Sequence, residues 1–169
     1  NEGMVRVLAE LGAALDMHVL DGLTAVHIAS DLGQTETVRT LAQLGANIDT
    51  PQYKYGATPV YAASWQGHTE TVRVLAQLGA NIDTPNKNGA TPVFISTQEG
   101  HTETVKALAQ LGANIETPTK DDGATPVYVA SQKGRTETLQ TLIQLGAKVN
   151  TLFRGTWTPL KVAMSNSHL

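Results

Sequence analysis

Residues 56–80 read GATPVYAASWQGHTETVRVLAQLGA, and this stretch decides the fold because the chain writes it repeatedly. Gly56-Ala57-Thr58-Pro59 returns as Gly89-Ala90-Thr91-Pro92 and Gly123-Ala124-Thr125-Pro126, with weaker copies at Gly22-Leu23-Thr24-Ala25 and Thr156-Trp157-Thr158-Pro159. The threonines at 24, 58, 91, 125 and 158 are spaced 34, 33, 34 and 33. A second marker, Leu-Gly-Ala, places its glycine at 12, 45, 79, 112 and 146. Each threonine precedes the next such glycine by 21 residues, so the one-residue variation lies outside that block, before Gly56 and before Gly123. Constant length marks packed structure and variable length an exposed loop.

The 21-residue block reads as two short antiparallel helices. Thr58 is a good N-cap, since its hydroxyl can accept from an orphan N–H, and Pro59 follows where no N–H is needed. Val60, Ala62, Ala63 and Ser64 are apolar or small and admit a close neighbour. Gly67 stops the helix with positive φ. Thr69-Glu70-Thr71 opens the second helix, with Glu70 near its positive end. Val72, Leu75, Ala76 and Leu78 supply an i, i+3, i+4 stripe that ends at Gly79. The polar run from Asn81 to Asn88 suits an extended β-turn finger.

These residues resemble the ankyrin repeat. Its Gly-x-Thr-Pro-Leu-His-x-Ala-Ala stretch appears here as Gly-Ala-Thr-Pro-Val-Tyr-Ala-Ala-Ser, its Gly-His turn as Gly67-His68, and its Gly-Ala-Asp-Val-Asn as Gly-Ala-Asn-Ile-Asp. Tetratricopeptide repeats share the period but lack these markers. The resemblance implies an all-α solenoid of stacked helix-turn-helix units with β-turn fingers, one domain over 1–169. It divides into a half-repeat at 2–20, repeats at about 21–52, 53–85, 86–119 and 120–152, and a half-repeat at 153–169. The chain departs from the family at the histidine of Thr-Pro-Leu-His, a column that holds His27, Tyr61, Phe94, Tyr128 and Lys161. Aromatic packing is expected to replace the histidine in the middle repeats. Thr156 stands where glycine opens the other fingers, so the last finger is expected to turn differently. Neither terminal half looks polar on its inner face. The expectation is a piece of a longer solenoid or an array capped by other sequence, with self-association through the bare faces where no flank exists; a swapped half-repeat cap that suffices is the alternative.

Composition narrows the function. Of 169 residues, 41% are hydrophobic, enough for a core. Twelve basic against fifteen acidic residues give a net charge of −3, which argues against nucleic-acid binding. There is no cysteine, so disulfides, thiolate metal sites and cysteine nucleophiles are excluded. No apolar run reaches the ~20 residues of a membrane span, and the expected setting is intracellular, in the cytoplasm. Charge is uneven: residues 1–118 hold six basic and twelve acidic residues, net −6, and residues 119–169 hold six and three, net +3.

Candidate chemistry dissolves into the period. His18, His27, His68, His101 and His168 do not converge in sequence. His68 and His101 share one turn a repeat apart, and the packing distance between neighbouring helices, about 10 Å, is too long for a shared metal; the expected role is a turn histidine that bonds the backbone. Glu36, Glu70, Glu103 and Glu137 recur once per repeat and so share one environment, unlike an acid–base pair. Ser64, Ser96 and Ser131 have no histidine placed as base. Glycines are single and periodic, without the lysine of a phosphate loop. The reading is therefore no enzyme, no cofactor and no metal. Asn150, in Gly146-Ala147-Lys148-Val149-Asn150 with Leu142 eight residues upstream, matches by resemblance an asparagine that a dioxygenase hydroxylates in animal ankyrin proteins; a turn hydrogen bond is the alternative.

Residues 35–51 and 69–85 differ only at Thr40 against Val74, which is scaffold. Variation gathers at finger tips and on the exposed face of each first helix, the columns that form the partner groove in the family. They are Leu20, Asp21, Leu23, Asp31 and Leu32; then Tyr53, Lys54, Tyr55, Trp65 and Gln66; then Lys87, Asn88, Gln98 and Glu99; then Lys120, Asp121, Asp122, Gln132 and Lys133; and last Phe153, Arg154, Trp157, Ser165 and Asn166. The partner-binding candidates are Tyr53, Tyr55, Trp65, Gln66, Lys87, Gln98, Glu99, Lys120, Gln132, Lys133, Arg154 and Trp157. Aromatics dominate interface energetics, and the alternative is that they cover finger backbones. The expected function is a non-catalytic protein-interaction module with a rigid concave groove for a protein partner, without nucleic acid or membrane insertion. The rivals are a regulatory segment of a larger enzyme, channel or secreted effector, and an engineered consensus-like scaffold.

Overall fold

A computed structural model describes residues 2–166, without the side chains of Glu2, Leu20 and Asn166. The readings placed on the side chains of Leu20 and Asn166, on His168, and on the last three residues of the final half-repeat lie outside the described residues.

The described residues form ten helices: α1 (Glu2–Glu10), α2 (Ala25–Asp31), α3 (Thr35–Gln43), α4 (Pro59–Gln66), α5 (Thr69–Gln77), α6 (Pro92–Glu99), α7 (Thr102–Gln110), α8 (Pro126–Gln132), α9 (Thr136–Gln144) and α10 (Pro159–Asn166). Two rows result. The even-numbered helices stack α2 on α4, α6, α8 and α10 in turn, and the odd-numbered helices stack α1 on α3, α5, α7 and α9. Extended fingers join one pair to the next, and only the isolated bridges Val19–Leu23 and Phe153–Trp157 occur as β-structure among the described residues.

The threonine caps form as the sequence implies. The hydroxyls of Thr58, Thr91 and Thr125 accept from the amides of Tyr61, Phe94 and Tyr128 at 3.3, 3.2 and 3.3 Å. The second helices use no side-chain cap; α5 begins after His68 without one. Val26, Val38, Val60, Val72, Leu75, Val93 and Leu108 fill one core between the two rows. A second cluster, Tyr61, Phe94, Ile95, Tyr128, Val129 and Val162, lies along the even row with the alanines that open each finger. The expected aromatic replacement therefore holds: Tyr61, Phe94 and Tyr128 are all buried. The last finger turns differently from the three middle ones, with Arg154 and Gly155 both left-handed at φ 48° and 70°, a pair matched in the first finger by Asp21 and Gly22 at 61° and 84°. At the two ends, Val7 and Leu8 on α1, Leu11 just after it and Leu160 on α10 are exposed.

His27 is buried in its own repeat. Its Nδ1 accepts from the Thr24 amide at 3.1 Å, so Nε2 carries the proton and donates to the Ala57 carbonyl at 3.1 Å. Burial, above all, pulls its pKa below the ordinary 6.5. The unfolded chain then binds the proton more readily, so stability present near neutrality drains away as pH falls below about 6.5. His27→Gln should flatten the fall in thermal midpoint between about pH 7 and about pH 5; an unchanged slope would remove His27 as its source.

Gly67 ends α4 at φ 75°, and a Cβ there would lie 2.6 Å from Nδ1 of His101. Gly79 ends α5 at φ 93° and would meet nothing within 4 Å. Gly79→Ala should cost about 1 kcal/mol of unfolding free energy for backbone strain alone. Gly67→Ala should cost measurably more in the same denaturant titration, because it also displaces an inter-repeat contact.

Candidate functional site

Each of the three middle fingers is closed at its base by the same backbone bond and clasped by a side chain. The amides of Gln52, Asn86 and Thr119 donate to the carbonyls of Ala57, Ala90 and Ala124, each at 2.9 Å. The extra residue of the longer fingers lies between these fixed points, where sequence spacing placed it. Oε1 of Gln52 accepts from the Lys54 and Tyr55 amides at 2.8 and 3.1 Å, and Oδ1 of Asn86 from the Asn88 and Ala90 amides at 3.0 and 2.9 Å. Successive tips are tied in a row, with Tyr53 N–H donating to Asp21 O, Lys87 to Tyr55 O and Lys120 to Asn88 O at 2.8, 2.8 and 2.9 Å.

Between the row of fingers and the even-numbered helices lie two hollows. The larger, about 450 Å³, has a floor of Ala57, Ala90, Ala124, Phe94, Ile95 and Val129 and polar walls of Gln52, Asn86, Asn88, Gln98, Asp121, Asp122 and Gln132. The smaller, about 250 Å³, is lined by Leu23, Ile28, Leu32, Ala62 and Asp31, among others. Trp65 and Tyr61 border both. Trp65 is 49% exposed. The Tyr61 hydroxyl accepts from Nδ2 of Asn86 at 3.1 Å. Burial pushes its pKa up to about 12; the Asn86 bond opposes this shift and the charge of Glu99 adds to it. Burial also raises Tyr128, with a further push from Asp122 and an opposing one from Arg154.

Among the sequence candidates, Tyr55, Trp65, Gln98 and Gln132 are brought together around the larger hollow. Tyr53, Gln66, Lys87, Glu99, Lys120, Lys133, Arg154 and Trp157 line neither hollow. Tyr53, although 61% exposed, lies over Gly22 and meets His18 edge-on at 4.8 Å, the finger-covering role. Nζ of Lys87 donates to the Tyr53 carbonyl, and Lys120 packs over Gly89. Gln66 Nε2 donates to Asp31 Oδ1 at 3.0 Å, and Glu99 accepts from Gln98 Nε2 at 3.0 Å. The Arg154 guanidinium sits 5.3 Å above the Phe153 ring, and Trp157 pairs with Phe153 across the last finger. Asn150 is exposed, one repeat beyond Glu116 in its column.

Three ladders link the repeats, and of these sequence reasoning expected only that the turn histidines bond the backbone. His68 and His101 Nε2 donate to the carbonyls of Asp31 and Trp65 at 3.0 and 2.8 Å, and Arg135 Nε does the same to Gln98 at 2.9 Å. Threonine hydroxyls pair as 35 with 71, 69 with 104 and 102 with 138, at 2.8, 2.8 and 2.9 Å. Asp16, Asp49, Asp83 and Glu116 accept from the amides of Asn47, Asn81, Asn114 and Lys148 at 2.9, 3.1, 2.9 and 2.6 Å. Only the recurrence of acidic residues in one column hinted at the last. Ile28, exposed at the wall of the smaller hollow, was also missed, because its helical position reads as core.

Among the described residues no group of three or more histidine and carboxylate side chains could hold a metal ion. No helix among them is long and apolar enough to cross a membrane. The sequence pattern of ankyrin repeats, in three copies, matches residues 1–86 and 78–153. No curated protein matches the chain.

Ionisation of Tyr61 is coupled to folding. Its folded pKa lies above the ordinary 10, so the stability it confers is complete below about 10 and is lost as pH rises toward about 12. Tyr61→Phe should therefore weaken the dependence of base-induced unfolding on pH in that window. An identical alkaline profile would place the transition on other groups.

Proposed function

Because this chain belongs to the ankyrin-repeat family, we propose that it is a protein-interaction module whose concave face, centred on Trp65, holds a protein partner. Ankyrin repeats are generally protein–protein interaction modules and typically non-catalytic, and this reading gives the chain no reaction of its own. The observation that carries it is the position of Trp65. The side chain borders both hollows and remains half-exposed. Its column holds Asp31, Gln98, Gln132 and Ser165 in the other repeats, so the scaffold has no need of an aromatic there. An exposed indole flanked by concave apolar surface is the arrangement that a partner covers.

Tyr55, Gln98 and Gln132 complete the wall around it, and the remaining sequence candidates at the finger tips form a rim. Rim contacts chiefly exclude water, whereas a central aromatic supplies affinity. The mechanism is rigid display: fingers and helices are fixed by the inter-repeat bonds before a partner arrives, so little ordering entropy is lost on binding.

Trp65→Ala should lower affinity for a partner captured by the intact chain by at least about thirtyfold, or ~2 kcal/mol, while leaving the thermal midpoint nearly unchanged. Gln98→Ala, on the same face one repeat away, serves as the control. A large loss of stability with binding spared would make Trp65 a packing residue and remove the proposed site.

A further inference from the structure

Resting on the groove reading above, we infer that the occupant is an extended peptide segment of the partner that sets an aliphatic side chain in the smaller hollow and a lysine or arginine in the larger. The smaller hollow is walled by Leu23, Ile28, Leu32 and one side of Trp65, with Ile28 and Leu32 both exposed. An aliphatic side chain is the group whose burial there is favourable without a hydrogen-bonding partner.

The larger hollow has different chemistry. Its walls carry the amides of Asn88, Gln98 and Gln132, each able to donate and to accept. An extended backbone presents both kinds of group unpaired, whereas a helix satisfies its own. The charge in the two linings has one sign: Asp31, Asp121 and Asp122 take part, and no lysine or arginine does. Two of these carboxylates are engaged. Asp31 accepts from Gln66, and Asp122 accepts from the Thr119 hydroxyl and the Ala124 amide. Asp121, exposed at its finger tip, has no hydrogen bond or ion pair among the described residues. Nearby tip lysines are turned elsewhere: Lys87 is bonded to Tyr53 O, and Lys54 faces Asp21 at 3.9 Å with its ammonium 5.0 Å from the Tyr55 ring. Burial is the main cause of the raised pKa values of Tyr61 and Tyr128 at the groove floor; the charges of Glu99 and Asp122 add to it, and Arg154 opposes it at Tyr128.

Spacing follows from the stacking. The smaller hollow lies between α2 and α4, and Asp121 stands on the finger that leads into α8. That is two to three helix spacings, ~20–25 Å at about 8–10 Å each. An extended chain covers it in about 6–8 residues at ~3.3 Å per residue.

The test is selection from a displayed library of random dodecapeptides on the intact 169-residue chain. The strongest peptide is then measured by fluorescence anisotropy against the wild-type, Asp121→Asn and Trp65→Ala chains at low and high salt. Expected are peptides that pair a basic with an aliphatic residue at the stated spacing. Their binding should weaken about fivefold with Asp121→Asn, as for an exposed ion pair, and should lose its salt dependence in that variant. Peptides without a basic residue whose binding still collapses with Trp65→Ala would overturn the cationic partner and keep the groove. Binding indifferent to both substitutions, or no enrichment at all, would overturn both.

Discussion

None of the described α-helices is long enough to hold itself together. Those described run to seven, eight or nine residues, below the ~12–15 at which an isolated helix becomes even marginal in water. Each exists because its neighbour buries it. Leu75, Leu108 and Leu142 are fully enclosed by contacts that span two repeats, and truncating such a leucine to alanine typically costs about 2–5 kcal/mol. Much of the stability therefore resides in the interfaces between repeats.

The column that begins with His27 shows how much chemical freedom this leaves. His27 reaches the base of the next finger by donating to the Ala57 carbonyl. Tyr61 reaches the next finger by accepting from Asn86. Tyr128 reaches its own neighbouring finger without a hydrogen bond, by stacking on Phe153 at 4.1 Å and 21°. Three side chains of different polarity anchor the following finger from one position. The constraint is geometric, a flat group of sufficient length at the third position after the capping threonine, and either polarity meets it. Loss of the histidine thus leaves the stacking intact while making the groove floor more apolar.

The repeat unit, the two helices per block, the capping threonines and the finger-tip location of the extra residue were all legible in the sequence, because each depends on residues close together in the chain. The ladders were not, apart from the bonding of the turn histidines His68 and His101 to backbone. Their partners are 31–37 residues apart, and many of the acceptors or donors are backbone groups that carry no residue identity. The same limit applied to the site. Exposure of Trp65 followed from its place off the apolar stripe, but the meeting of Trp65 with Gln98, Gln132 and Asp121 around one hollow depends on how three repeats superpose. Tyr53 marks the opposite case. Its sequence context matched that of Tyr55, and only the placement over Gly22 separates a side chain covering its neighbour from one facing the groove.

Preorganisation of the groove comes from bonds made outside it. Trp65 is held not by its indole but by its backbone: its carbonyl accepts from His101 of the next repeat, and the following residue, Gln66, is tied back to Asp31 of the previous one. The left-handed turn at Gly67 brings His68 into register to grip Asp31 O in the same way. The indole thus projects from a backbone fixed on both sides while it remains half-exposed. A partner that covers Trp65 orders one side chain about two torsions and leaves the main chain as it was, at the low end of the entropic cost of association. The wall on the far side of the larger hollow follows the same rule, since Arg135 holds the Gln98 carbonyl from below while the side chain of Gln98 faces the groove. Rigidity on the turn side and chemical variety on the groove side are therefore two consequences of one stacking geometry.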